Sequence, residues 1–231
     1  MSLAAFLRKI PLLGGFGSSE LESLERCLVR RRYPAGQVLF HMDDEGGSLH
    51  IIESGRVKVA IPSRSGEELI LAILGRGELL GELSLLDGKP RSATAQALEN
   101  TETLCLRRAD LLALMRSRFD VVEKILEVLA RRLRDTDLLL ADRHFLDISS
   151  RLAKKILDLG EAFGIREGGQ VRIGVKVTQK ELASMIGATR ESVNKGLRSL
   201  QDRGLVRITG GVIEIPDRAK LARAARLFPK P

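Results

Sequence analysis

The sequence predicts an α+β chain of three parts: an antiparallel β-roll, one long helix, and a smaller basic unit of paired helices and short strands. Three observations carry this. Between Tyr33 and Arg107 the apolar residues fall in short β-type runs, broken by glycine turns about every 8–12 residues. From Asp110 the apolar period changes to threes and fours and holds for about 30 residues. Charge then separates the end of the chain from the rest. Residues 1–147 carry 21 Lys+Arg against 22 Asp+Glu, and residues 148–231 carry 17 against 8. The whole excess of +8 therefore belongs to the last third.

The 231 residues suffice for two domains, and 44% apolar with 29% charged residues is a globular balance. The longest apolar run of the interior, Leu69–Leu74, has six residues, far short of the roughly 18 that a membrane helix needs. The first residues have no basic stretch ahead of their apolar ones and no small-residue cleavage site, so no signal peptide is expected. Cys27 and Cys105 are too few for a disulfide framework or an iron–sulfur cluster, which suits a reducing cytoplasm. A basic module attached to a neutral one points to a polyanion partner. With 3% aromatics and no Trp, the chain lacks the stacking platforms of single-strand binders, so duplex DNA is the better candidate.

Residues 19–31 read as a short helix, with Leu21, Leu24 and Leu28 on one face. The runs at 38–40, 49–52, 57–61 and 68–74 follow as strands, and the pattern resumes at 92–98 and 102–107. In the long helix, Val122, Leu126, Leu129, Leu133, Thr136 and Leu140 are spaced 4, 3, 4, 3, 4. That is an a/d seam, which favours pairing with a second copy; a stripe docked on its own roll is the alternative. Thr136, the polar member of the seam, is either a register-setting position or a ligand contact. A third region begins with a helix at 150–163, a turn at Gly168-Gly169 and a strand at 171–173. It closes with a hairpin around Gly210-Gly211 and a short helix capped by Asp217.

Between these, Thr178-Gln-Lys-Glu181 is a capping box, and Leu182, Ala183 and Ile186 make the inner face of its helix. Gly187 sits where a tight turn needs positive φ. Thr189 is a second N-cap, and Val193, Leu197 and Leu200 face inward. A small residue at 183, glycine four later and Val six after that form a helix-turn-helix pattern; a capped helix pair without a nucleic-acid role is the plainer reading. The inward positions leave Arg190, Glu191, Asn194 and Lys195 outward on the first turns of the second helix. Recognition helices read bases from those turns. Arg190 matches the O6 and N7 of guanine, Glu191 the N4 amine of cytosine, and Lys195 guanine or a phosphate.

In the roll, Gly81-Glu-Leu-Ser-Leu-Leu-Asp-Gly-Lys-Pro-Arg-Ser-Ala-Thr94 places turn amides, the guanidinium of Arg91 and the hydroxyl of Ser92 within a few residues, a set suited to a small anion. Glu82 accepts hydrogen bonds only, which suits a sugar hydroxyl. A loop holding a salt bridge has the same composition. The stretch closely resembles the phosphate-binding cassette of cyclic-nucleotide-binding domains. With Ala130-Arg-Arg-Leu, Phe145-Leu-Asp and Thr189-Arg-Glu-Ser-Val in the same order, residues 10–215 resemble the CRP/FNR superfamily of bacterial transcription regulators, nearest its cyclic-AMP-receptor branch.

The resemblance implies a cyclic-nucleotide-binding β-roll (a double-stranded β-helix or jelly roll) over 1–118, a dimerisation helix and hinge over 119–146, and a winged helix-turn-helix over 147–231. It implies that Gly81, Glu82 and Leu83 meet the ribose side of cyclic AMP and that Arg91 and Ser92 hold its phosphate. Arg132, Thr136 and Asp137 are implied around the adenine. It implies that Thr178, Gln179, Thr189, Arg190, Glu191, Ser192, Asn194 and Lys195 face a TGTGA half-site, and that Phe145, Leu146 and Asp147 form the hinge. The partners implied are operator duplex, a second copy of the chain and RNA polymerase, with no membrane. Asp137 stands where the branch has a Ser from the opposite subunit, Lys195 where it has Arg, and Gly196 where it has a larger apolar residue. Cyclic GMP, cyclic di-GMP or no effector at all are the alternatives. A cupin-type enzyme would need His-x-His plus Glu. His41, His50 and His144 stand apart and read as surface or structural, no metal is expected, and no nucleophile–base pair appears, so no enzyme is expected.

Overall fold

The structure, a computed structural model, describes residues 3–10, 13–64, 66–167, 170–174 and 177–225. The chain forms two compact units that divide within one helix, between Arg134 and Asp135.

The first unit opens with α1 (Leu3–Leu7) and α2 (Ser18–Cys27). The strands follow: β1 (Val29–Tyr33), β2 (Val38–Phe40), β3 (Ser48–Ser54), β4 (Val57–Pro62), β5 (Glu68–Leu74) and β6 (Leu79–Leu80). The short α3 (Glu82–Asp87) precedes β7 (Thr94–Ala97) and β8 (Thr101–Arg107). Two four-stranded antiparallel sheets result, β1-β8-β3-β6 and β2-β7-β4-β5. Alternation along β3 decides where each residue goes. Leu49 and Ile51 join a cluster with Phe6, Leu21, Leu104, Leu106 and Leu111, whereas Ile52 joins Val57, Leu74, Leu80 and Ala95 in a second cluster. Both faces of β3 are thus buried.

Two expectations for this part are corrected. The helix expected over 19–31 ends at Cys27, because Val29–Tyr33 pairs with β8 from Val29 against Cys105 to Tyr33 against Thr101. Ladder pairing outweighs the helical spacing of the preceding leucines. The helix expected from Asp110 is two helices, α4 (Arg108–Ser117) and α5 (Phe119–Phe145). Arg118 between them is extended, at φ −137° and ψ 104°. Its guanidinium pairs with Glu20 and with Asp120 (2.6 Å), donates to Gly15 O (2.9 Å) and lies 4.6 Å from the Phe16 ring centroid. Those contacts hold the break in place.

The stripe by which α5 packs on the roll is Val121 and Ile125, not Val122 and Leu126. Leu129 is half-buried against the same core, while Leu126, Leu133 and Leu140 are 56%, 63% and 65% exposed. Among the described residues no helix is long and apolar enough to cross a membrane.

The second unit contains the end of α5, then α6 (Ile148–Phe163), β9 (Gly164–Glu167), β10 (Gln170–Ile173), α7 (Gln179–Ile186), α8 (Arg190–Asp202), β11 (Arg207–Thr209), β12 (Val212–Ile215) and α9 (Arg218–Ala224). One antiparallel sheet, β11-β12-β10-β9, closes it. Strand β9 was not apparent in the sequence, and the turn read at Gly168-Gly169 lies outside the described residues. The hairpin at Gly210 and Gly211 has φ of +59° and +82°, as a primed turn requires. Where α6 and α8 cross, a Cβ on Gly196 would lie 3.0 Å from Leu152 Cδ2. Close helix approach explains a glycine that helix propensity disfavours.

Candidate functional site

The first candidate site is the turn that leads from β6 through α3 to β7. Gly81 has φ +83°, and a Cβ there would overlap Arg91 Nη1 and lie 3.1 Å from Ser48 O. The bare glycine lets the Arg91 guanidinium lie against the turn. Arg91 is only 4% exposed. Its Nη1 donates to Gly81 O (2.8 Å) and Ser84 Oγ (2.9 Å), its Nη2 donates to Ser48 O (2.7 Å), and its guanidinium lies 4.2 Å from the Phe40 ring centroid. Its Nε has no partner, and none of the ion pairs among the described residues involves Arg91. Burial pulls its pKa below the usual guanidinium range, with the Glu82 and Asp44 charges opposing. A buried cation held by neutral acceptors is incompletely compensated. An anion at this turn would supply what is missing.

Glu82, 1% exposed, stands at the start of α3. Arg132 of α5 donates to its Oε1 and, through Nη2, to Leu79 O at 2.5 Å. The other carboxylate oxygen, Oε2, is buried without a donor. A buried polar atom left unpaired costs roughly 1–3 kcal/mol, so a hydroxyl placed there would be stabilised. Leu83 and Ser92 are exposed beside this pair. Thr136 and Asp137 are exposed on α5, Thr136 one turn after Arg132 on the same face. The sequence reading missed Ser84, Ser48 and Phe40, which hold Arg91. Ser84 lay in the motif itself, three residues after Gly81, but neither Ser48 nor Phe40 gives a local signal.

His50 is buried inside the roll, with Nδ1 3.3 Å from Cys105 Sγ and Nε2 3.1 Å from Ser48 Oγ. Burial first, then the Arg91 and Arg31 charges, push its pKa down to about 4. It is therefore a neutral structural histidine. His41 and His144 are exposed. No group of three or more potential metal-ligating side chains occurs among the described residues.

The second candidate site is the helix pair α7 and α8. Thr178 accepts from Glu181 N (3.2 Å), and the Glu181 carboxylate accepts from Thr178 N (2.7 Å), which closes the capping box. Gly187 has φ +61° in the turn, and Thr189 accepts from Ser192 N at 3.2 Å to start α8. Leu182, Ala183, Val193, Leu197 and Leu200 are buried. Arg190, Glu191 and Lys195 are exposed along one side, and Gln179 and Asn194 are half-buried. Glu191 and Lys195 pair with each other at 2.9 Å, both more than three-quarters exposed. Such an i,i+4 pair is worth only about 0.3–0.5 kcal/mol, so it parts at little cost when a base competes. At the join to α5, Phe145 is exposed, Leu146 is half-buried, and Asp147 caps α6 by accepting from Ser150 N (2.8 Å). Lys154 pairs with Asp142 across that join at 2.5 Å.

Comparison with known proteins finds a family match for the region around each candidate site. The family model for a cyclic nucleotide-binding domain matches residues 30–118, and that for a Crp-like helix-turn-helix domain matches residues 150–224. The chain is 37% identical over 220 residues to the CRP-like cAMP-activated global transcriptional regulator of Mycobacterium tuberculosis, covering 95% of this chain and 98% of that one. It is 38% identical over 216 residues to the cyclic AMP receptor protein of Thermus thermophilus, covering 93% and 96%. Among solved structures, the c-di-GMP-responsive global regulator CLP of Xanthomonas campestris matches with a TM-score of 0.74 and 26% identity, over 86% of this chain and 99% of that one.

Proposed function

Since this chain belongs to the CRP/FNR family of cyclic-nucleotide-responsive transcription regulators, and is thus no enzyme, we propose that cyclic AMP is its effector and palindromic TGTGA-like operator DNA its target, bound as a homodimer. One observation carries the choice of ligand. Arg91 is a buried cation with an unpaired N–H, and Glu82 beside it is a buried carboxylate with an unpaired oxygen. One needs an anionic acceptor and the other a donor. A cyclic phosphate joined to a ribose hydroxyl offers both at one end of a small molecule. Gly81, Leu83 and Ser92 border the same turn, and Arg132 binds Glu82 from α5.

Thr136 and Asp137 lie one turn further along that helix, where their polar atoms suit an adenine amine. Thr136 is also a member of the seam with Val122, Leu126, Leu129, Leu133 and Leu140, of which Leu126, Leu133, Thr136 and Leu140 are exposed, the surface we assign to a second copy. A ligand that engages Arg132 and Thr136 acts on the helix that carries the seam. That helix ends at Phe145, and Leu146 and Asp147 join it to α6 of the DNA-binding unit. Repacking the seam would therefore re-aim two recognition helices together, and half-sites one DNA turn apart, ~34 Å, accept one such arrangement. Arg190, Glu191 and Lys195 then read bases, while Thr178, Gln179, Thr189, Ser192 and Asn194 position the helices on the backbone. RNA polymerase is the further partner of such a regulator, in the cytoplasm.

A second reading keeps the regulator and changes the effector, since a structural relative is described as responsive to cyclic di-GMP. Calorimetry of the full chain with cyclic AMP, cyclic GMP and cyclic di-GMP separates these. Saturable binding of cyclic AMP alone supports the proposal, and preference for another nucleotide, or no binding, rejects it.

A further inference from the structure

Outside the cradle, the first unit contains a cleft of about 510 Å³ between α5, the end of the N-terminal segment and the turn that joins β5 to β6. Lys9 and Arg76 reach it from one side, and Lys124, Arg131 and Arg134 from the helix, with Arg132 among its lining residues. Only two acids line the cleft beside these six cations, Glu78 and Glu127. Glu127 pairs with Lys124 at 2.8 Å, Arg132 pairs with Glu82 of the cradle, and Glu78 accepts from Gly75 N at 2.8 Å. Lys9, Arg131 and Arg134 make no ion pair among the described residues. Cations converging on a concave surface repel one another and destabilise the fold unless an anion joins them.

The cleft adjoins the cradle, with which it shares Leu79 and Arg132, but its other five cations belong to neither site already described. At about 100° per residue, Lys124 and Arg131 fall roughly opposite Leu126 and Leu133 on α5, and Glu127 and Arg134 about a quarter-turn or more away, so pairing through the seam leaves the cleft open. None of its residues belongs to the recognition helix. Charges that enter from two walls suit a compact multivalent anion better than a rigid duplex, which meets a protein along a ridge or groove. Arginine forks on the helix match phosphate oxygens.

We propose that this cleft binds a small free oligophosphate, a ligand of at least two linked phosphate groups. The test is isothermal titration of the full-length protein with sodium tripolyphosphate in magnesium-free buffer, with and without cyclic AMP. The expected result is one equivalent bound per chain, with affinity that falls as salt rises. The double variant Arg131→Gln/Arg134→Gln should weaken binding roughly tenfold or more, because each loses a charge-assisted contact. Its helical circular dichroism and thermal transition should match the wild type, since both side chains are exposed. The variant Arg190→Ala/Lys195→Ala should bind tripolyphosphate as the wild type does. No binding by the wild type overturns the proposal. Equal binding by the Arg131/Arg134 variant, loss in the Arg190/Lys195 variant, or one-for-one displacement by cyclic AMP also overturns it. So does a wild type that ignores tripolyphosphate while the Arg131/Arg134 variant loses affinity for duplex DNA.

Discussion

Two glycines with the same positive φ allow the cradle to be tested against its own strain. Gly81 and Gly36 both have φ +83°, but a Cβ on Gly36 meets nothing within 4 Å, whereas one on Gly81 overlaps Arg91 Nη1 and approaches Ser48 O. Gly36→Ala therefore reports left-handed strain alone, about 1–2 kcal/mol. Gly81→Ala adds displacement of the guanidinium from Gly81 O, Ser84 Oγ and Ser48 O. Losing even one hydrogen bond of a buried charge costs about 1.5–3 kcal/mol, so Gly81→Ala should cost about 3–5 kcal/mol in total. Urea denaturation measures both variants, and calorimetry with cyclic AMP measures what remains of the site. Gly36→Ala should bind the nucleotide normally, while Gly81→Ala should lose at least tenfold. Equal stability losses and equal affinities in the two variants would refute the claim that Gly81 exists to admit Arg91.

Further predictions follow from the same geometry. Arg190→Ala should cost ~1–3 kcal/mol in operator binding and relax preference at one G·C pair of each half-site; gel-shift titrations on half-site variants would expose a uniform loss, the mark of a phosphate contact. Leu133→Asp with Leu140→Asp, both exposed in the single chain, should shift sedimentation toward monomer at micromolar concentration without altering circular dichroism, and a persistent dimer would place the interface elsewhere. His50 binds its proton at about 4 when folded, against 6.5 ordinarily. The unfolded chain therefore gains that proton first as pH falls, so stability present above pH 6.5 declines toward pH 4 by roughly 3 kcal/mol at most. His50→Gln should flatten that part of the pH–stability curve, and an unchanged slope would assign it to other groups.

Much of this was legible before any coordinates, for physical reasons that differ by region. The helix pair was legible because its signals are local: the Thr178 and Thr189 caps, the positive φ of Gly187 and the period of Val193 and Leu197 each act within a turn or two. The strands were legible from glycine punctuation and alternation. What stayed hidden depends on residues far apart in sequence. Val29–Tyr33 became a strand through β8, about 70 residues away, and α4 separates from α5 because Arg118 reaches Glu20 and Gly15 O. In the cradle, Arg91 and Glu82 carried recognisable chemistry, but the sequence alone does not show that Ser48, Ser84 and Phe40 hold the guanidinium, or that Arg132 occupies one oxygen of Glu82. The stripe by which α5 packs on the roll, Val121 and Ile125, was hidden because Val122 and Leu126 beside it have the same spacing. Only the shape of the roll distinguishes them.

On the proposed function, nucleotide binding and DNA binding are coupled through α5, and linkage makes this measurable from either side. A ligand that favours the DNA-competent state must itself bind more tightly when DNA is present, by the same factor. Cyclic AMP affinity should be measured by equilibrium dialysis with and without saturating operator duplex, alongside operator affinity with and without saturating cyclic AMP. Both should increase, by equal factors of roughly 5–150. Cyclic AMP affinity that is the same with and without the operator would contradict that coupling.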